Sequence, residues 1–329
     1  MRRPVFIQGV MRRVGREWAW VAALVAVITL GVRDARSEGT VSTNSTTALL
    51  QALLGGGVVQ LTFAETLTLE IPVVIAADTV LEGAVAGGRL ATVSGGTARR
   101  PFHVLPGIRF EIRNCVIRDG LSTNGGGLYN EGVVVASTVV FSGCKATGRD
   151  GVAGNAGENR FGVGGNGGRG EAGFPAHGGA IYNLGDLTLV DCIVSSNAAQ
   201  GGKGGDGGDG GTGNWANGIG GDGGAGAVAF GGAIHGAEGS RLTVTNTFFS
   251  NNSAKAGDGG AGGSDSSILG SGHGAGGASA AGGAIHSAGW LWVVRSAFAT
   301  KSICASNKHD AAGKGAQRAV PRPCRKLRR

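Results

Sequence analysis

Gly178-Gly179-Ala180-Ile181-Tyr182-Asn183 decides the fold, because this hexapeptide recurs along the chain at a nearly constant spacing. The copies begin 53, 53 and 51 residues apart and occupy 125–130 (GGGLYN), 178–183 (GGAIYN), 231–236 (GGAIHG) and 282–287 (GGAIHS). A fixed period of this kind indicates an architecture of stacked repeats before any local propensity is considered.

Each hexapeptide is followed by a small turn and then by a strand with alternating apolar residues. Aligned strands begin at Phe110, Val134, Leu187, Leu242 and Leu291. Their eighth position is always apolar, as Ile117, Phe141, Val194, Phe249 and Phe298. Alternation predicts strands, and recurrence at one offset predicts that like residues stack on like in successive coils, about 4.8 Å apart.

Two further positions of the repeat have predicted structural roles. The eleventh strand position is Asn197 or Asn252 in two coils, where we expect left-handed backbone and a ladder of side-chain amides. The glycine pair permits a sharp bend where a Cβ would clash. Upstream, 46–54 (TTALLQALL) predicts a short amphipathic helix with a hydroxyl N-cap and a glycine stop.

The predicted fold class is all-β: a right-handed parallel β-helix with an N-terminal cap helix, glycine-rich insertions and a disordered C-terminal tail. The predicted boundaries are 1–37 for a signal peptide, 38–56 for the cap, 57–300 for the β-helix and 301–329 for the basic tail. The insertions are expected at about 145–177, 199–230 and 254–281. The 53-residue period is therefore one coil of about 24 residues plus an insertion.

The net charge of +8 is concentrated at the two ends of the chain. Residues 1–37 carry +5 and residues 301–329 carry +8, which leaves −5 for 38–300. An apolar run after N-terminal arginines, closed by Ala35-Arg36-Ser37, is typical of a secretory signal peptide, with a membrane anchor as the alternative. The acidic body excludes nucleic acid as a partner of the folded part, and we expect no transmembrane domain in the mature protein.

The five cysteines are an odd number at irregular spacing, without CxxC pairs. Cys115 and Cys192 fall at equivalent repeat positions. We therefore interpret them as small buried hydrophobes in a side-chain stack rather than as ligands or disulfide partners.

The glycine-rich insertions are compatible with flexible loops or with glycine helices in a polyproline-II-like lattice. In such a lattice, three residues per turn would place every third side chain on one edge. Calcium binding is a further hypothesis, because GGKGGD at 201–206 fits the start of the nonapeptide GGxGxDxUx. The candidate ligands are Asp206, Asp209, Asp222 and Asp258, with solvated loop aspartates as the alternative and no other cofactor expected.

Particular residues, rather than the fold, indicate whether a chain is an enzyme. GHG at 272–274 resembles one polygalacturonase motif, but it lies inside an insertion and the companion motifs are absent. His235 and His286 share a repeat column with Tyr129 and Tyr182, which indicates a stacked structural position. Convergence of Asp186, Asp191 and Glu238 with Arg241 or Arg295 on one exposed face would favour catalysis on acidic polysaccharide. We predict no catalytic residues and no cofactor-binding residues.

The paired signatures GGAI, as in 178–181, and FxxN, as in 249–252, resemble the repeats of the polymorphic outer membrane protein family. The wider layout from cap helix to GGGLYN is similar to pectin-lyase-like right-handed β-helix proteins, and the resemblance covers roughly 44–300. It implies a secreted or outer-membrane-associated protein with a structural or adhesive, non-catalytic role and an extracellular polysaccharide or protein ligand. The alternative is a polysaccharide lyase or glycoside hydrolase.

Overall fold

The computed structural model describes residues 38–264 and 271–299, and the backbone of 303–305 and 322–323. The predicted signal peptide lies outside the described residues, as does the predicted tail apart from these two backbone segments. Across the described part, no helix combines the length and the apolar character needed to cross a membrane.

The protein is made of stacked parallel sheets with almost no helix, and its strands are numbered here in chain order. The largest sheet contains β1 (Glu38–Val41), β2 (Gly57–Leu61), β5 (Thr79–Gly83), β8 (Arg109–Arg113), β12 (Val133–Ser137), β17 (Asp186–Val190), β22 (Arg241–Thr245) and β27 (Trp290–Val294). The second sheet contains β3 (Thr66–Thr68), β6 (Ala91–Ser94), β9 (Cys115–Arg118), β13 (Val140–Ser142), β18 (Ile193–Ser195), β23 (Phe248–Ser250) and β28 (Ala297–Phe298).

Three smaller sheets complete the stack. The third sheet contains β4 (Val73–Ile75), β7 (Phe102–Val104), β11 (Leu128–Asn130), β16 (Ile181–Asn183), β21 (Ile234–Gly236) and β26 (Ile285–Ser287). The fourth contains β10 (Leu121–Ser122), β14 (Lys145–Thr147), β19 (Ala198–Gln200), β24 (Ser253–Lys255), β29 (Ile303–Ala305) and the antiparallel β30 (Arg322–Pro323). The fifth contains β15 (Ala176–His177), β20 (Ala229–Phe230) and β25 (Ala280–Ala281).

The strand register confirms the predicted alignment of the repeats. In the first sheet, Val134 pairs with both Phe110 and Leu187, and Leu242 pairs with Leu187 and Leu291. Phe110 and Val134 are 24 residues apart (134 − 110), whereas the equally adjacent Val134 and Leu187 are 53 apart (187 − 134). The extra residues therefore leave the stack as an insertion, as the sequence predicts.

The predicted apolar column fills the interior of the stack. Phe141 pairs with Ile117 and Val194, and Phe249 pairs with Val194 and Phe298. The first four of these side chains are at most 1% exposed. Burying a side chain of this size contributes about 1.5–3 kcal/mol relative to leaving it in water, so this column is a main source of stability.

The asparagine ladder is confirmed, but its backbone conformation differs from the prediction. Asn197 Nδ2 donates to Asn252 Oδ1 at 3.0 Å, and both residues are fully buried. The left-handed residues are Ser196 and Asn251, one position earlier, with φ of 58° and 53°. The prediction of left-handed backbone at Asn197 and Asn252 was therefore wrong. The preceding residue makes the turn, and this leaves the asparagine side chain free to enter the core.

The first glycine of each pair is left-handed, as the predicted bend requires. The φ values are between 60° and 65° at Gly125, Gly178, Gly231 and Gly282. A Cβ on Gly178 would lie 2.0 Å from the carbonyl oxygen of Ile181. A side chain at this position is excluded by both the backbone conformation and the contact.

The N-terminal helix α1 (Thr46–Leu53) lies against β1 and β2, in agreement with the predicted cap. Ser45 is its N-cap, because the hydroxyl oxygen accepts from the Ala48 amide at 3.4 Å. Leu49 and Leu53 are buried against the first strands. A short turn of 3-10 helix, Ala86–Gly88, is the other helical segment in the described residues.

Cys115 and Cys192 are buried and free, as expected for small hydrophobes in a stack. Burial raises the pKa of the Cys115 thiol to about 12 and that of the Cys192 thiol to about 11. Cys144 is also buried and free, and burial raises its thiol pKa to about 12. We therefore expect these three thiols to be protonated at neutral pH.

Candidate functional site: glycine-rich arms and a ring column

The glycine-rich insertions are ordered arms, each made of an outgoing and a returning leg. We call them arm 1 (148–174), arm 2 (201–227) and arm 3 (257–264 and 271–278). The two legs of arm 2 are joined by Gly221 N to Gly208 O at 2.8 Å and Gly224 N to Gly205 O at 2.7 Å. These contacts recur every third residue, which is the period of a polyproline-II-like backbone. The structure therefore agrees with the predicted lattice and not with flexible loops.

Neighbouring arms are joined by the same three-residue pattern. The outgoing legs of arms 1 and 2 are joined by backbone hydrogen bonds. The amides of Gly151, Gly154 and Gly157 donate to the carbonyl oxygens of Lys203, Asp206 and Asp209 at 2.7–2.8 Å. Arm 2 bonds to arm 3 in the same way, for example through Gly204 N to Asp258 O at 2.9 Å.

Glycine is required in the lattice because the legs touch backbone to backbone. A Cβ on Gly208 would lie 2.0 Å from the carbonyl oxygen of Asn155, and one on Gly205 would lie 2.1 Å from that of Val152. Where the arms join the sheets, the core narrows to alanines alone: Ala146, Ala176, Ala199, Ala229, Ala254, Ala256 and Ala280. The glycine content thus sets the close spacing of the legs.

Three of the four candidate calcium ligands accept hydrogen bonds from the backbone of the next arm. Asp206 Oδ1 accepts from Ala261 N at 2.9 Å, and Asp209 Oδ1 accepts from Ser264 N at 2.7 Å. On the returning leg, Asp222 Oδ1 accepts from His273 N at 2.9 Å. The bond from Ala261 lowers the pKa of Asp206, and bonds from the Ser264 hydroxyl and amide lower the pKa of Asp209.

These aspartates add to the hydrogen bonding of the lattice. In several glycine-glycine-X triplets the glycine amides bind neighbouring legs, and the amide of X donates to an acidic or amide side chain of the preceding arm, as Lys203 N does to Asp150 Oδ1 at 2.7 Å. Asn159 and Asn166 of arm 1 act in this way on Thr212 N and Ile219 N, at 2.8 and 3.0 Å. An unbound amide in the lattice would be costly, so these side chains have a structural role.

The fourth candidate, Asp258, lies on the outgoing leg of arm 3, which is bonded to the leg that carries Asp222 through Gly260 N to Gly224 O at 2.8 Å. Asp206 and Asp209 are one triplet apart, roughly 9 Å at about 3.1 Å per residue. Within the described ranges, no group of three or more His, Cys, Asp or Glu is placed to hold a metal ion. The structure thus does not bring the four candidates together.

A column of stacked rings follows the third sheet. Tyr129, Tyr182, His235 and His286 occupy successive strands in register, as the repeat predicts. The rings of Tyr182 and His235 stack at 5.3 Å, and those of His235 and His286 stack at 5.0 Å. The stacked structural position predicted for the two histidines is confirmed.

The fifth sheet adds rings that sequence reasoning missed. His177 lies 4.8 Å from His235 between ring centroids, and Phe230 lies 4.5 Å from His286. Burial, with smaller contributions from the neighbouring histidines, lowers the pKa of His235 to about 3. The available signal was a ring immediately before the glycine pair, as in His177-Gly178 and Phe230-Gly231.

A polar cluster begins the ring column and was also missed. His103 Nε2 and Glu131 Oε2 are 2.7 Å apart, and the His103 ring meets Tyr129 edge-on at 4.9 Å. The Arg100 guanidinium lies over Tyr129 at 4.7 Å and donates to the carbonyl oxygens of Gly125 and Asn124 at 2.9 and 2.6 Å. Burial lowers the Arg100 pKa to about 10. The cluster combines a base, an acid and a cation, although Arg100 is anchored by backbone.

Two of the residues named as a test of catalysis, Asp186 and Arg241, are partners in neighbouring strands, but Asp191 lies apart from them. Asp186 and Arg241 begin neighbouring strands of the first sheet, whereas Asp191 and Arg295 occupy the left-handed turn after such strands, with φ of 54° and 48°. The Asp191 carboxylate accepts from Asn246 Nδ2 at 2.5 Å. Five extended residues separate Asp186 from Asp191, about 16 Å. These residues do not form one acidic cluster.

The chain matches no protein-family model, no curated protein and no solved structure. Its function must therefore be argued from its own surfaces. The described residues carry two exposed aromatic pairs: Phe161 with Trp215 at the far end of arms 1 and 2, and Trp290 with Trp292 on β27.

Proposed function

We propose that the chain is a secreted or cell-surface right-handed parallel β-helix with a structural and adhesive, non-catalytic role. Support for the closed helix comes from the order of the sheets. Each repeat passes from the first sheet to the second and the third, and every residue column keeps its register between repeats.

The observation that carries the adhesive role is the arm lattice. The arms fix three long, glycine-rich insertions into one hydrogen-bonded unit, and this holds a broad array of side chains in place at low conformational entropy. A surface whose parts are already ordered loses less entropy on binding than loops do. The repeat resemblance to polymorphic outer membrane proteins and the predicted signal peptide support the same location at or beyond the cell surface.

The side chains of the repeat columns also favour a non-catalytic role. Asn197, Asn252 and the arm aspartates bind backbone, and Tyr182, His235 and His286 stack on one another. These residues are explained by stacking and turning. The ligand class we propose is an extracellular polysaccharide or protein, without a cofactor, a calcium ion or nucleic acid.

A polysaccharide lyase or hydrolase is the second candidate, and the cluster of Arg100, His103, Tyr129 and Glu131 is the observation that favours it. A lyase acting on uronic acids needs a base for the α-proton and a cation near the carboxylate. In this cluster the His103 and Glu131 side chains are 24% and 30% exposed, so a ligand could reach them.

Both candidates are tested with the full-length protein. Beads coated with it are assayed for adherence to immobilised polysaccharides, matrix proteins and cells, and the soluble protein is assayed for turnover of uronic-acid polymers. We expect saturable adherence and no turnover. Turnover that is lost in Glu131→Gln but kept in Glu111→Gln, a carboxylate paired with Arg113 at 2.7 Å, would establish the enzyme instead. Location is tested by finding the chain, cut near residue 37, in the medium or the outer membrane fraction.

A further inference from the structure

The far end of arms 1 and 2 carries three exposed large apolar side chains, among them that of Phe161, the most exposed such side chain of the described residues. Phe161 is 86% exposed and Trp215 is 78% exposed, with ring centroids 6.3 Å apart. Val163 is beside them and is 58% exposed. We call the two turns that hold them, 159–163 and 212–217, the distal tip. Exposed apolar side chains in one place mark an interaction surface rather than a random feature.

Part of the backbone of the distal tip is bonded within the tip. The two turns lie side by side, with Arg160 bridged to Gly213 and Val163 bridged to Ala216. Trp215 N donates to Gly162 O at 2.9 Å, and Gly213 N donates to Asn217 Oδ1 at 3.0 Å. Unpaired amides cost free energy in apolar surroundings. Amides that already have a partner within the protein can leave water without this large penalty.

The charged residues nearest the rings within arms 1 and 2 compensate each other. Arg160 and Glu158 form an ion pair at 2.8 Å. The tip thus offers neither the positive surface that acidic polymers need nor the negative surface that a cationic partner needs. Its charge balance fits a neutral, zwitterionic surface.

The arms hold the tip away from the sheets. The outgoing leg of arm 1 continues from β14 for twelve residues to Arg160, roughly 35 Å at about 3.1 Å per residue. Three side chains on two short turns have little surface to offer a folded protein or a sugar chain, which bind through extended complementary contacts. A bilayer interface accepts such a wedge, and Trp and Phe are the residues that favour the level of the lipid headgroups.

We propose that Phe161, Val163 and Trp215 form a lipid-contacting wedge that enters the interfacial region of a zwitterionic bilayer. This inference rests on the proposed function, since it names one surface to which the protein adheres. The lattice makes the wedge effective, because Phe161 and Trp215 are held side by side before contact and little ordering entropy is lost.

The test is co-sedimentation of the full-length protein with phosphatidylcholine vesicles. The tip variant is Phe161→Ser with Trp215→Ser, and the control variant is Trp290→Ser with Trp292→Ser. The control tryptophans are 78% and 68% exposed, so the control removes comparable apolar surface elsewhere. We expect wild type and control to sediment with vesicles, and the tip variant to partition at least about tenfold less.

A second measurement covers misfolding of the tip variant. Brominated phosphatidylcholine quenches the fluorescence of tryptophans that enter the interface. When Trp215 alone is replaced by Phe, the part of the wild-type quenching that comes from Trp215 should be lost. Absence of vesicle binding by wild type, equal loss in the control, binding only to anionic vesicles, or self-association lost in the tip variant would each overturn the inference. If coated beads still adhere to polysaccharide or protein while vesicle binding fails, the proposed function stands and the wedge alone is rejected.

Discussion

Gly208→Ala tests the lattice at a residue whose leg contacts several other legs. A Cβ at this position would lie 2.0 Å from Asn155 O and 2.4 Å from Asn155 C, so one leg must move by more than about 1 Å to restore ordinary contact. The Gly208 amide donates to Gly168 O at 2.9 Å, and its carbonyl accepts from Gly221 N at 2.8 Å. Movement of the leg weakens both bonds.

The magnitude follows from these contacts. Overpacking of this kind costs about 1–3 kcal/mol, and each weakened hydrogen bond adds about 0.5–1.5 kcal/mol. The alanine returns about 0.4–1 kcal/mol by restricting the unfolded chain. We therefore expect arm opening to become easier by at least about 1 kcal/mol and by about 3 kcal/mol at the centre of these ranges, which is a factor of at least about 5.

Limited trypsin digestion measures this opening, because Arg149, Arg169 and Lys203 lie in the legs. Cleavage in the arms of Gly208→Ala should accelerate by at least about fivefold, while the sheets resist digestion. The matched control is Gly274→Ala in arm 3. A Cβ there has its nearest neighbour at 3.7 Å, so cleavage should stay at or below the wild-type rate. Equal, rapid cleavage of wild type and Gly208→Ala would refute the lattice.

Three other predictions concern the stack. Asn197→Ala should lower the free energy of unfolding by about 2–4 kcal/mol in a denaturant titration, because Cys144 N at 2.9 Å and Phe141 O at 3.0 Å lose buried partners; an unchanged midpoint would contradict the ladder. The pKa of His235 is lowered to about 3 in the folded protein, so the unfolded chain takes up a proton at a higher pH than the folded one. The free energy of unfolding should therefore fall by up to about 1.4 kcal/mol per pH unit as the pH is lowered from about 6.5 towards 3. This loss should diminish in His235→Phe, and an identical pH profile would count against the assigned burial. Buried thiols with a pKa raised to about 12, as at Cys115, should resist iodoacetamide at pH 8 until the protein is denatured; native labelling there would show an open stack.

The repeat columns were predictable because stacking imposes one residue type on one position. The alignment of Phe110, Val134 and Leu187 holds in the sheet register, and the alternation of apolar residues fixes which face is buried. The turn next to Asn197 was misassigned because a left-handed residue need not be the asparagine itself, and Ser196 adopts this conformation instead.

The arms were predictable in period but not in function. The triplet pattern indicates a polyproline-II-like lattice, yet the role of Asp206 and Asp209 depends on amides 55 residues later in the chain. The GGxGxD match of 201–206 suggested calcium ligands, and in the structure Asp206 and Asp209 accept hydrogen bonds from backbone amides. The distal tip was not predicted because Phe161 and Trp215 occur in dissimilar turns, and only the alignment of the arms brings their rings together.

Residue-resolved hydrogen exchange along the outgoing leg of arm 1 tests the central claim of ordered arms most directly. The amides of Gly151, Gly154 and Gly157 bond to arm 2, whereas the residues between them face outwards. We expect protection at every third amide, in the register of these glycines, with fast exchange in between. Uniformly fast exchange across 148–158 would contradict the account, because it would show that the insertions are flexible loops.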